Sequence, residues 1–268
     1  MISRLGEDVK LEAPEALAAL QDAWNEEPVE TLRAAHKARK QRILDLHLVP
    51  QIKLAEAEKA FPCVDPKYPV SWKQQVRQLR NRLTHFDDEV KAREKSGIQV
   101  VSLLSMNGQR PRKGLAANLA FALAAMEETK VLLVDAKTSR PDLDLQLGLN
   151  EGRGLCEATR AHREDLPDCF RRISGTQLYL LPLGQRIKYQ DEAVDLRGLQ
   201  RLVAGLREQF DWIILDGPGF DTPADATLIT LCSDGTIYLV EQGVDRFEDL
   251  RLAFKQTQGR YMIGAVMM

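Results

Sequence analysis

The sequence predicts an α/β fold: a mostly parallel sheet with helices on both faces, preceded by a helical N-terminal extension. Three observations carry this. Apolar runs of strand length occur without polar alternation, as in IQVVSLLS (98–105), KVLLVDA (130–136) and DWIILDGPG (211–219), the pattern of strands buried on both faces. Helix-length segments separate them, as the crossovers of a parallel sheet require. Ser105, Asp135 and Asp216 fall at the carboxyl ends of such runs, where open α/β sheets hold their ligands.

Taken in order, two regions differ in texture. Residues 1–69 form the extension and 70–268 the sheet domain. APEALAALQDAW (13–24) has apolar residues at helical spacing, with Pro14 suited to a first turn. PVETLRAAHKARKQRILDLH (28–47) predicts a second helix. Its Arg33, Lys37, Arg39, Lys40 and Arg42 form a basic stretch with no acid between them. That stretch reads either as a solvated face or as a contact for an acidic partner or membrane surface. Three prolines in FPCVDPKYP (61–69) mark a linker. A third helix follows in SWKQQVRQLRNRLTHFDDEVKAR (71–93).

After Gly97 strands and helices alternate. The strand IQVVSLLS leads to the helix GLAANLAFALAAMEE (114–128), and KVLLVDA is the next strand. QLYLLPLG (177–184), DWIILDGPG, GTIYLVEQG (235–243) and YMIGAVMM (261–268) continue the sheet. VDLRGLQRLVAGLREQF (194–210) and DRFEDLRLAFKQTQ (245–258) are amphipathic helices.

Composition narrows the function. The formal net charge is -2 over 268 residues, so no basic excess points to nucleic acid. Hydrophobic residues make up 44%, enough for a packed core. No apolar stretch approaches the roughly 20 residues of a membrane span. The start, MISRLGEDVKLEAPEA, lacks the apolar segment of a signal peptide, so the expected location is the cytoplasm. Cys63, Cys156, Cys169 and Cys232 are dispersed, as are His36, His47, His85 and His162. Zinc ligands cluster at short spacing, so the cysteines read as free thiols and no metal site is expected.

KVLLVDA, RPDLDLQLGL, the GL at 154–155, FDWIILDGPG, PADATLI and SDGTIYLVEQG follow one another in an order that resembles the bacterial tyrosine autokinases. Those are cytoplasmic ATPase domains of capsule and exopolysaccharide export systems, within the Min/Par-type P-loop ATPases. The resemblance covers residues 70–268 and implies a P-loop NTPase-like sheet. It also reaches the third helix, where the family's glutamate–x–x–arginine–x–x–arginine motif contacts the next subunit of a ring. Gln74, Arg77 and Arg80 match it, with an amide for the glutamate. The spacing places all three on one helix face, which an ordinary surface helix would also do.

The resemblance sets SMNGQRPRKGLAANLA (105–120) against the family's phosphate-binding loop without a gap. The two loop glycines fall on Gln109 and Pro111, the phosphate-binding lysine on Arg112, the magnesium-binding hydroxyl on Lys113 and the next hydroxyl on Gly114. Each change has a physical consequence. A phosphate cradle needs consecutive backbone N–H groups turned inward, and Pro111 has none. Lys113 offers magnesium no oxygen and repels it. Arg112 could still pair with phosphate, as a planar fork rather than a point charge.

Two family acids are retained. Asp216 matches the magnesium-side aspartate of the strand motif, and Asp135 the first acid of an aspartate–x–aspartate pair whose second member falls on Lys137. Either they keep catalytic roles or they cap turns at strand ends. The adenine-contacting region that the family places after QLYLLPLG is not matched by GQRIKYQDEAVD. The five tyrosines (68, 179, 189, 238, 261) are scattered, so the expectation is a chain without the family's phosphorylated tyrosine-rich tail.

The candidate nucleotide- or anion-binding group is therefore Gly108, Arg110, Arg112, Lys113, Gly114 and Arg140. Its cations would gather at a helix N-terminus, attract an anion, or close onto Asp135 and Asp216. The expectation is a site without a cofactor, the alternative being ATP with magnesium at Asp216. The function that follows is a catalytically degenerate relative of the autokinases. It would be a structural or regulatory partner of a membrane polysaccharide chain-length regulator or an active paralogue, forming a homo-oligomer or recruited to the inner membrane through that partner. The alternatives are a Min/Par-type positional factor for a pilus, flagellar or secretion system, and a working ATPase or tyrosine kinase with a non-standard loop.

Overall fold

The computed structural model describes residues 43–53, 70–94, 96–106, 114–137, 143, 152–185, 196–256 and 261–267. The strands are β1 (Gln51–Ile52), β2 (Val100–Ser105), β3 (Val131–Asp135), β4 (Arg171–Ile173), β5 (Leu178–Leu181), β6 (Trp212–Gly219), β7 (Gly235–Val240) and β8 (Tyr261–Met267). The helices are α1 (Val70–Glu94), α2 (Leu115–Ala124), α3 (Leu155–Ala158), α4 (Leu196–Leu206), α5 (Pro223–Leu231) and α6 (Phe247–Gln256), with a 3₁₀ turn over Arg163–Cys169. The strands form one sheet in the order β1-β4-β5-β3-β6-β2-β7-β8. Every neighbouring pair is parallel except β4 and β5. The predicted mostly parallel, helix-covered sheet is the one observed.

Side chains alternate across each strand, and that alternation feeds two cores. Ile213 and Leu215 of β6 enter an apolar cluster with Leu199, Leu202, Val203 and Leu206 of α4 and Ala226 and Ile229 of α5. Trp212 and Ile214 face the other side, among the apolar residues of α1 and α2. Val76, Leu83 and Val90 recur at the same point of α1 every two turns and are buried. Ala116, Ala117 and Ala120 are buried along α2, and such small side chains let a helix lie close to its neighbours. Asp87, buried near the end of α1, accepts the Ile98 N–H at 2.7 Å and fixes that helix to the entry of β2.

The N-terminal prediction needs correction where it can be seen. Residues 43–47 are not helical. The N–H groups of Ile43 and Leu44 both donate to Gln209 Oε1 at 2.9 Å, and Gln209 Nε2 donates to the Leu44 carbonyl at 2.5 Å. One side chain thus takes the main-chain groups that a helix would have satisfied internally. Leu44 and Val49 are buried in the α4-side core, and β1 then extends the sheet by pairing with β4. The helix over 13–24, the basic stretch from Arg33 to Arg42 and the linker over 61–69 lie outside the described residues.

Elements that the sequence did not announce are short or charged. β4 is Arg-Arg-Ile, and it runs antiparallel to β5. α5 begins at Pro223 with Asp225 in its first turn, a normal helix opening. The GL at 154–155 opens α3, with the Leu155 N–H donating to the Pro182 carbonyl at 2.7 Å. Cys156, Cys169 and Cys232 are buried and form no disulfide with one another, and burial pushes the Cys169 and Cys232 thiols up to about 11 and about 12. Among the described residues no helix is long and apolar enough to cross a membrane.

Candidate functional site

Parallel register assembles the site. β3 and β6 are neighbours, and Asp135 pairs with Asp216. The two carboxylates therefore arise side by side at the strands' carboxyl side. The ladder runs one step beyond β3, since the Ala136 N–H donates to the Asp216 carbonyl at 2.9 Å. Asp216 does not close its strand, as the sequence suggested. β6 continues to Gly219, and its register against β2 shifts, Leu103 facing Asp216 and Ser105 facing Gly219. Pro218, which cannot donate to a ladder, falls in that irregular stretch, where such residues are tolerated. Gly217 lies close to its neighbours: a Cβ there would lie 2.4 Å from Leu104 Cδ2 and 3.1 Å from the Leu103 carbonyl, so the Leu104 side chain would have to move.

Lys137 completes the cluster. Its backbone N–H donates to Asp135 Oδ1 at 3.1 Å, a local turn that aspartate favours. Its ammonium Nζ lies 2.7 Å from Asp216 Oδ2, with the two side chains 11% and 21% exposed. The Leu143 N–H donates to Asp135 Oδ2 at 3.1 Å. Asp135 is fully buried, and burial pushes its carboxyl up to about 7. The neighbouring Asp216 charge adds to the rise, which Lys137 and the two amides only partly offset.

These positions do not fit a divalent ion as arranged. The carboxylate that the resemblance assigns to magnesium is held by an ammonium group, and both oxygens of Asp135 accept backbone amides. A metal at Asp216 would have to displace Lys137 and shed its own water, which magnesium does reluctantly. Among the described residues no group of three or more His, Cys, Asp or Glu could hold a metal.

Gly114 precedes α2 in the left-handed region, φ 84 and ψ 13, a conformation that glycine adopts at little cost. Its carbonyl accepts the Asn118 N–H at 2.7 Å and Asn118 Nδ2 at 2.5 Å. α2 thus starts at Leu115, after the position where the resemblance places the second hydroxyl. Gly108, Arg110, Arg112, Lys113 and Arg140 lie outside the described residues, as do most of RPDLDLQLGL and of GQRIKYQDEAVD.

Gln74, Arg77 and Arg80 do not join the acids. Gln74 and Arg77 are exposed on α1. Arg80 is half-buried and donates from Nη1 to the Ala122 carbonyl at 3.4 Å, near the end of α2 remote from Gly114. Nε and Nη2 of Arg80 donate to Asn81 Oδ1, so this arginine is engaged within its own chain. The residue that the sequence reading undervalued is Lys137. Its signal was a cation standing where the resemblance expects an acid.

The profile of the cellulose biosynthesis protein BcsQ family matches residues 98–261. The succinoglycan biosynthesis transport protein ExoP of Rhizobium meliloti (strain 1021) is 26% identical over 168 residues, which are 62% of this chain and 21% of that protein. The chain therefore spans about a fifth of ExoP. The tyrosine-protein kinase CpsD of Streptococcus pneumoniae serotype 4 is 23% identical over 175 residues, 63% of this chain and 75% of CpsD. Among solved structures, the BceF tyrosine kinase domain superposes with a TM-score of 0.61 at 23% identity, covering 90% of this chain and 97% of that one. That likeness shows that the two share a fold.

Proposed function

The chain belongs to the cellulose biosynthesis protein BcsQ family, and from that premise we propose that it serves exopolysaccharide biosynthesis and export as a structural or regulatory partner without catalytic turnover. The observation that carries this reading is the ion pair between Lys137 and Asp216. It places a tethered cation on the carboxylate that a magnesium–nucleotide complex would need. The loop sequence supports the reading independently, through Pro111 in the phosphate cradle and Lys113 at the hydroxyl position. The left-handed Gly114 agrees with a helix start not built around that pair.

In this role the fold supplies a surface rather than a reaction. Its partner is a membrane polysaccharide chain-length regulator or an active paralogue, which holds it at the cytoplasmic side of the inner membrane. The test is isothermal titration of the purified chain with ATP and ADP, with and without Mg²⁺, beside polymer yield in a strain lacking the chain. The expected result is no magnesium-dependent nucleotide heat together with polymer yield that depends on the chain. Magnesium-dependent ATP turnover, lost in Asp216→Asn, would establish the active-ATPase reading instead.

The exposed Gln74 and Arg77 of α1 serve as the contact to a second copy, while Arg80 stays with its own α2. Arg77→Glu is expected to shift a concentration-dependent assembly toward monomer in size-exclusion chromatography. An elution volume identical to that of the parent at every concentration would remove this contact from the proposal.

A further inference from the structure

We infer that the Lys137 ammonium is the resident cation of this site, standing in for a divalent metal at Asp216 of β6, beside Asp135 of β3. The inference deepens the non-catalytic reading and rests, as that reading does, on the geometry around Asp216. Three observations lead to it.

First, register forces two carboxylates together. Asp135 and Asp216 are paired across adjacent parallel strands, and two like charges at paired positions, one of them fully buried, call for a counter-charge or a proton. Second, the counter-charge is delivered by the chain itself. Lys137 follows Asp135 by two residues, and its N–H bonds back to Oδ1 of the same aspartate at 3.1 Å. The acid that needs compensation thereby fixes the backbone from which the cation extends. Third, the cation is enclosed: the Lys137 side chain is 11% exposed and its Nζ reaches Asp216 Oδ2 at 2.7 Å.

An ammonium and a divalent ion differ here in physical terms. The ammonium carries one charge and three directed donors, and its attachment removes any dependence on metal concentration. A divalent ion needs several oxygen ligands in a fixed geometry. Exchanging Lys137 for an acid would supply one such ligand and remove the competing charge in a single step. The wild-type site should therefore ignore divalent ions, and loss of the lysine should uncover a site for them.

The experiment uses Mn²⁺ as the probe, read by electron paramagnetic resonance, and thermal unfolding in Mg²⁺ against EDTA. Four chains are compared: wild type, Lys137→Arg, Lys137→Met and Lys137→Asp. Wild type and Lys137→Arg are expected to leave Mn²⁺ free and to unfold at one temperature in either buffer. Lys137→Met and Lys137→Asp are expected to unfold at lower temperature in EDTA and to regain stability with metal. Lys137→Asp should bind Mn²⁺ about tenfold or more tightly than Lys137→Met, the scale on which groups around a metal change its affinity.

One tightly bound Mn²⁺ per wild-type chain would overturn the inference. So would variants that neither bind Mn²⁺ nor recover stability or foldedness with it. Metal bound by wild type without ATP turnover would remove the resident-cation role while leaving the non-catalytic reading in place.

Discussion

The two ends of the sheet each hold a buried aspartate with a cation close by, and they solve the same problem differently. At the amino end, Asp234 enters β7 and meets Arg207, which follows α4. Nη1 donates to Oδ2 at 2.8 Å and Nη2 to Oδ1 at 2.7 Å. Asp234 also accepts the amides of Gln99 and Val100 at 2.9 and 2.8 Å. Burial would raise this carboxyl, but the Arg207 hydrogen bonds and charge and the two amides outweigh it and hold it below the ordinary range. At the carboxyl end, two aspartates share the surroundings of one lysine, and burial wins, pushing Asp135 up to about 7. A buried carboxylate is thus held ionised when a cation donates to it directly and amides add to it, and a cation bonded to the neighbouring acid does not suffice.

The largest way to break this comparison is to remove the saturated acid. Asp234→Ala leaves Arg207 and two strand amides facing nothing. It is expected to cost about 3–5 kcal/mol, the scale for breaking a buried pair from one side, read as a shift of the urea midpoint. A loss below ~1 kcal/mol would mean that the amino-end pair is no better than a surface contact.

The next test uses pH, where the two ends have opposite signs. Asp135 binds its proton more tightly folded than unfolded, between the ordinary 3.8 and about 7. Its contribution to stability is present below the lower value and fades as pH rises to the upper one. Asp234, held low, stabilises above the ordinary carboxylate range and loses that contribution as pH falls below it. Asp135→Asn should therefore flatten the decline of the urea midpoint between about pH 4 and pH 7, leaving the acid limb intact. An unchanged slope in that variant would show that Asp135 does not hold a proton in the folded chain.

The smallest expected effect calibrates the other two. Lys91 lies 2.5 Å from Asp87 Oδ2, but its side chain is 57% exposed, and Asp87 keeps its bond to the Ile98 amide. Lys91→Ala should cost about 0.5–1 kcal/mol, since solvent screens the exposed ammonium even though Asp87 is buried. A cost approaching that of Asp234→Ala would erase the distinction between an enclosed pair and an exposed one.

The sheet domain was legible because its strands are long apolar runs and its helices are periodic, so IQVVSLLS and KVLLVDA declare themselves without tertiary context. β1 and β4 were not, since two residues at an edge and an Arg-Arg-Ile segment carry no apolar signature. The helix expected through His47 failed because Gln209, 165 residues from Leu44 in the chain, satisfies that backbone, and no local pattern records such a partner. In the site, the acids were legible because each follows an apolar run, although β6 continues past Asp216, and Lys137 was legible as a misplaced charge. Their pairing was not, because it depends on register between β3 and β6, which sequence spacing alone does not set.

The Gln209 clamp has a mechanical consequence. Three main-chain atoms of Ile43 and Leu44 are gripped by a single amide, just before the chain joins the sheet's outermost strand. Tension applied ahead of Ile43 would load that amide before it strained the two-residue β1 ladder, and Gln209 would pass the load to the chain entering β6.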